Sequence, residues 1–203
     1  MISDQLLPFY LLSQFDNNFD YITSKAIKQV NFIKRFSNKF VRIETFRTLY
    51  YSFIYSILSY CSVIWKPRFN YQIKLIDKPR RQLLRFASYR CGFPMHFTDH
   101  NYTDISKAFM IPDIESSMVR NDLMFGFKIL NNRINCPDLL YSFNFHVPSR
   151  TLRNTLYFYD NIGKVVSPIQ RISELFNSNS TLDFHSTSLH SFSKVTKRLF
   201  IYK

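Results

Sequence analysis

IETFRTLYYSFIYSILSYC, residues Ile43 to Cys61, decides the fold class. Phe46, Leu49, Tyr50, Phe53, Ile54, Ile57, Leu58 and Cys61 recur at i, i+3, i+4, i+7, the period of one face of an α-helix. Arg47, Ser52, Ser56 and Ser59 fall opposite them. An apolar stripe that wide has to pack against other helices. The segment also raises the question of a membrane, because Thr48 to Trp65 carries no charge and is near the minimum length of a span. Four Ser, four Tyr and a Cys within it, with the apolar residues on one side, read as a buried amphipathic helix instead.

The flanking sequence continues in the same style. The chain has 203 residues with 22 Phe, 13 Tyr and only 3 Gly, which favours helices over strands and turns. After an irregular lead-in at 1–18, Ile22, Ala26, Val30 and Ile33 predict a helix over Phe19 to Phe36. Ile73, Ile76, Leu83, Leu84 and Ala87 predict another over Asn70 to Tyr89, kinked or split at Pro79, which lacks an N–H and clashes with the preceding turn. Further helices are expected at Tyr102 to Met110, from Pro112-Asp113 to Asn131, at Asp138 to Tyr141, at Pro168 to Phe176 and at Leu189 to Tyr202. Phe145, Val147, Leu156 and Phe158 are spaced like short extended pieces or loop anchors. The expected fold is all-α: a basic helical region at 19–92, then a looser, mainly helical region at 93–203.

Charge is concentrated in the first of these regions. Lys25 to Arg90 holds fifteen basic residues against two acids, Glu44 and Asp77, and so accounts for the whole net charge of +13. Such a surface attracts phosphate backbones or anionic head groups, or is simply solvated. Three widely spaced cysteines, Cys61, Cys91 and Cys136, imply no disulfide framework. Leu6 to Leu12 lacks a basic start and is broken by Pro8, so no signal peptide is read, and an intracellular site, nuclear or cytoplasmic, is favoured.

Little in the sequence points to catalysis. Two-metal nucleotidyl transfer needs clustered carboxylates, and Phe158-Tyr159-Asp160-Asn161 offers only one. Cys91, His96 and His100 are three candidate ligands where structural zinc takes four. No phosphate-binding glycine loop is present. No metal and no cofactor are expected.

The motif Tyr55-Ser56-Ile57-Leu58-Ser59-Tyr60-Cys61-Ser62-Val63-Ile64-Trp65-Lys66-Pro67 resembles a segment downstream of the catalytic palm in non-LTR retrotransposon reverse transcriptases, jockey-like elements in particular. Phe46-Arg47-Thr48-Leu49-Tyr50 precedes it, and Arg80-Arg81-Gln82-Leu83-Leu84-Arg85-Phe86 comes after it, in the family's order. Arg120-Asn121-Asp122-Leu123-Met124-Phe125 with Lys128 to Asn132, then Cys136 to Leu140, then Val147 to Arg153, then Ile169-Gln170-Arg171 with Phe176-Asn177, resemble its later landmarks. The chain departs from the family at Ser59 and Cys61, where glutamate and glycine are usual, and at Pro79.

The resemblance implies a thumb-like helical unit and the region after it, with the palm and its metal-binding carboxylates lying N-terminal. It implies a non-enzymatic piece that grips an RNA or RNA–DNA duplex. Lys25, Lys28, Lys34, Arg35, Lys74, Lys78, Arg80, Arg81 and Arg85 are the expected phosphate contacts. Tyr51 and Tyr55 are candidates for contact with bases. A helical protein-interaction module, a relic without activity and, last, a small membrane protein are the alternatives.

Overall fold

The computed structural model describes residues 6–37, 39–93, 99–147, 156–159, 167–179, 182 and 188–200, and the side chains of its first helix from Asn18 onward. It is all-α among these residues: α1 (Leu6–Phe36), α2 (Ile43–Leu49), a π-helical segment (Tyr50–Tyr55), α3 (Ser56–Ser59), α4 (Ser62–Trp65), α5 (Asn70–Arg90), α6 (Asp99–Phe109), α7 (Ile114–Leu130), α8 (Pro137–Tyr141), α9 (Pro168–Ser178) and α10 (Leu189–Phe200). The chain forms two compact units, Met1–Ser117 and Met118–Lys203, divided in the first turn of α7.

In the first unit α1 packs on α5, on the π segment and on α3. Phe19, Ala26, Val30 and Ile33 of α1 are buried, and Phe19 meets Trp65 edge-on at 6.0 Å. The expected lead-in is helical from Leu6. Pro8 does not prevent this, because it sits in the first turn, where backbone N–H groups have no intrahelical partner.

The 43–61 segment differs from the continuous α-helix that its period suggests. Its fully buried residues are Phe46, Tyr50, Ile54 and Leu58, each 0% exposed, at strict four-residue steps. On an α-helix each such step overshoots a full turn by about 40°, so three steps would carry Leu58 roughly 120° off the face. The π turn, bonded i to i+5, takes up more residues and cancels the drift. Phe53 and Cys61, expected on the apolar face, are exposed. Deleting the exposed Ser52 turns the ladder into an ordinary 4-3-4 α-helical stripe. The variant is expected to unfold within about 1 kcal/mol of the parent, whereas deleting Gln82 from α5 rotates the remainder of that helix by about 100° and costs more than about 3 kcal/mol. Urea denaturation distinguishes the two.

Pro79 does not split α5, which runs unbroken for 21 residues. Pro79 is buried, as are Ile76 and Leu83 about one turn to either side, so burial of that face offsets the lost backbone bond. At the helix start the Gln72 side-chain oxygen accepts from the N–H groups of Arg68 (3.1 Å) and Phe69 (3.3 Å), capping the chain as it enters the helix.

The second unit is built round phenylalanines. Phe127 stacks on Phe192 at 4.3 Å, and Phe176 lies 6.3 Å from Phe192 and 6.1 Å from Phe158. Gly126 lets α9 come close: a Cβ there would lie 2.5 Å from Ile172 Cγ2. The expected extended pieces meet as one isolated antiparallel bridge, Phe145 to Phe158. Around it, His146 N donates to Tyr157 O and Tyr159 N to Asn144 O, both at 2.9 Å. Asn177 of α9 fixes one side of this bridge, accepting from Tyr157 N and Phe158 N and donating to Phe158 O. Ser167 and Asp113 cap α9 and α7 by accepting from Gln170 N and Ser116 N.

Candidate nucleic-acid interface

α5 has two faces of different character. Ile76, Asp77, Arg80, Leu83, Leu84 and Ala87 are buried. On the other side Tyr71, Lys74, Lys78, Arg81, Arg85 and Tyr89 are exposed, at steps of three and four residues that keep them in one stripe. From Lys74 to Arg85 the stripe runs about 16 Å at ~1.5 Å per residue. That is about five phosphate steps along one strand at ~3.4 Å each.

Arg80 is not part of that stripe. It is 5% exposed and forks onto Asp77, with Nη2 donating to Oδ2 at 2.8 Å and Nε to Oδ1. Its Nη1 donates to Ser106 Oγ of α6 at 2.8 Å. The expected phosphate contact is therefore a structural cation, and its position on the core side, three residues after the one acid of the helix, is the reason. Beside it lies the buried hydroxyl of Tyr50, which has no hydrogen-bond partner among the described residues. Burial pushes that hydroxyl's pKa up, against the charge of Arg80.

Two other arginines are exposed but braced. Arg81 Nε donates to Asp77 Oδ2 at 2.9 Å, and its guanidinium carbon lies 5.4 Å from the centre of the Tyr102 ring. Arg85 Nη2 donates to the Tyr102 hydroxyl at 3.1 Å. Tyr102 so gathers two guanidiniums on the exposed side of α5, which reduces the side-chain entropy a ligand would have to remove.

Asp77 is the acid on which this depends. Burial raises its pKa, but the hydrogen bonds and charges of Arg80, then Arg81, outweigh burial and hold it below the usual carboxylate value. A depressed folded pKa stabilises the protein above the unfolded value and loses that contribution as pH falls through the folded one. Thermal stability is expected to decline below about pH 4, near the ordinary carboxylate pKa. Asp77→Asn should remove part of that decline while lowering stability at pH 7, and melting curves across pH 2 to pH 7 check both, those limits being roughly the range over which carboxylates titrate.

α1 carries the remaining expected contacts. Lys25, Lys28 and Arg35 are exposed and share a stripe with Tyr21, Phe32 and Phe36. Lys34 is half-buried at the margin of the core face. Tyr51 donates its hydroxyl to Met110 O at 3.1 Å and packs edge-on against Tyr50 and Tyr55, so it serves the fold. The exposed rings of α1 and α5 that reading by period did not single out include Tyr21, Phe32, Tyr71 and Tyr89. Their signal was their spacing of three or four residues from the basic residues, opposite the apolar stripe.

No known family model, curated protein or solved structure matches the chain.

Among the described residues no group of three or more His, Cys, Asp or Glu side chains could hold a metal ion, and no helix is long and apolar enough to cross a membrane. His96, the imidazole of His100, Asp160-Asn161 and the 148–153 landmark lie outside the described residues. Cys91 is half-exposed; burial, then the charge of Glu44, pushes its thiol pKa up against Arg90. Several residues that carry the family resemblance have structural work. Trp65 is buried and donates Nε1 to Tyr60 O at 2.7 Å. Asp122, 1% exposed, is held by Arg171 through two bonds of 3.0 and 3.1 Å, joining α7 to α9.

Proposed function

We propose that the chain is the thumb-like and following region of a non-LTR retrotransposon reverse transcriptase, binding an RNA–DNA duplex through its phosphates and performing no polymerisation of its own. The observation that carries this is the α5 stripe of Lys74, Lys78, Arg81 and Arg85, opposite a buried face and braced by Tyr102. A stripe of cations on a rigid helix positions a duplex without reading its bases. The ordered set of sequence landmarks, from Phe46 to Asn177, supplies the family. Titration of the whole chain with a blunt RNA–DNA hybrid across a salt series tests the reading. Binding that falls steeply with salt is expected, and a well-folded chain that leaves the hybrid unbound at low salt overturns it.

A further inference from the structure

The outward stripe of α1 has a composition that a duplex does not call for. Tyr21, Lys25, Lys28, Phe32, Arg35 and Phe36 succeed one another along one side of the helix, most of them at three- and four-residue steps. Tyr21 is 65% exposed, Phe32 48% and Phe36 69%. Phe32 lies 4.6 Å from Phe36, ring centre to ring centre, and 6.3 Å from Phe53, itself 41% exposed. Three neighbouring rings therefore face solvent, with cations about one helical turn from Phe32 on each side. Between Asp20 and Glu44 there are six cations and no acid.

We propose that this stripe, with Phe53 beside it, is a stacking platform for the unpaired bases of a single-stranded nucleic acid. Rings offer every base a π-face irrespective of its identity, and neighbouring cations follow the backbone. A duplex keeps its bases stacked inside its own backbone and leaves protruding phenylalanines idle. An anionic membrane fits less well, because Lys28 and Arg35 are interleaved with the rings, and immersing the rings would draw those charges below the head groups. The platform deepens the nucleic-acid reading, since it rests on a polyanionic partner, but it uses α1 where duplex gripping was assigned to α5.

The test uses the whole chain and a ten-nucleotide single-stranded RNA, a length of the order one such surface covers, carrying 2-aminopurine, with the blunt hybrid alongside. Stacking quenches the probe. Phe32→Leu with Phe36→Leu keeps apolar bulk and removes the π-faces. It is expected to abolish quenching and weaken single-strand binding about tenfold or more, with hybrid binding unchanged. Lys28→Gln with Arg35→Gln, which leaves the rings alone, is expected to lower the single-strand salt slope by about 1.4. Single-strand binding that neither pair alters overturns the platform, as does a chain that binds vesicles of anionic lipid but no single strand, or one whose rings are covered by a second copy that the leucine pair releases. A parent chain that binds the single strand but not the hybrid removes the duplex reading and supports the platform, provided the leucine pair abolishes that binding.

Discussion

Lys74→Gln with Lys78→Gln will flatten the dependence of hybrid binding on salt, lowering the slope of log K against log salt by about 1.8, or ~0.9 for each phosphate no longer neutralised. Extending the change to Arg81 and Arg85 will lower it by about 3.6. A four-phosphate grip loses about 150-fold in affinity between roughly 50 and 200 mM salt, so the four-residue variant should lack a fall of that size. Arg80→Gln will behave differently. Its guanidinium is buried on Asp77 and Ser106, so the variant should lose stability while its salt slope, measured where the chain is fully folded, stays that of the parent. Fluorescence anisotropy at five salt concentrations, about the number a slope requires across that range, separates the two outcomes. Equal slopes for the parent and all three variants would remove α5 from the interface.

Arg171→Met will lower the stability of the second unit by about 3–5 kcal/mol, because it leaves the Asp122 carboxylate buried without the guanidinium that grips it. Asp122→Leu combined with Arg171→Met should recover most of that loss, since exchanging a buried ion pair for apolar groups is often neutral or better. Urea unfolding of the two single variants and the double variant closes the cycle. A single-variant loss below about 1 kcal/mol would mean that the pair is screened as a surface bridge is.

The existence of most helices was legible from period alone, though not the start of α1 at Leu6, and α5, α7, α9 and α10 begin and end within a few residues of where their caps and prolines place them. Pro112-Asp113 and Ser167-Pro168 announce starts through side chains that accept the first idle N–H groups. The π turn was not legible, because an i, i+3, i+4 pattern and an i+4 ladder share most of their positions in 43–61. The ladder showed itself only when Phe53 and Leu49 proved less buried than Tyr50 and Ile54. Arg80 was misplaced for a related reason. A charge count treats every basic residue of a helix as solvated, whereas Asp77 at i−3 on the core side had already claimed this one. Arg81, one residue on, reaches the same acid from the exposed face. The exposed rings of α1 were hidden by number: in a chain with 22 Phe and 13 Tyr, aromatic content signals core, and only the placement of Phe32 and Phe36 away from Val30 and Ile33 marks them as surface.

Gly126 has a reach out of proportion to its size. Because it has no side chain, Ile172 and Phe176 of α9 can rest against α7. The residue after Phe176 is Asn177, whose amide grasps Tyr157 and Phe158. Phe158 in turn is the anchor of Phe145 across the isolated bridge. A methyl group added at position 126 would act as a wedge under Ile172 and Phe176, and the displacement would reach Asn177, the next residue of the same helix, directly. The only extended pairing among the described residues is thus positioned by an absent side chain well before it in the chain.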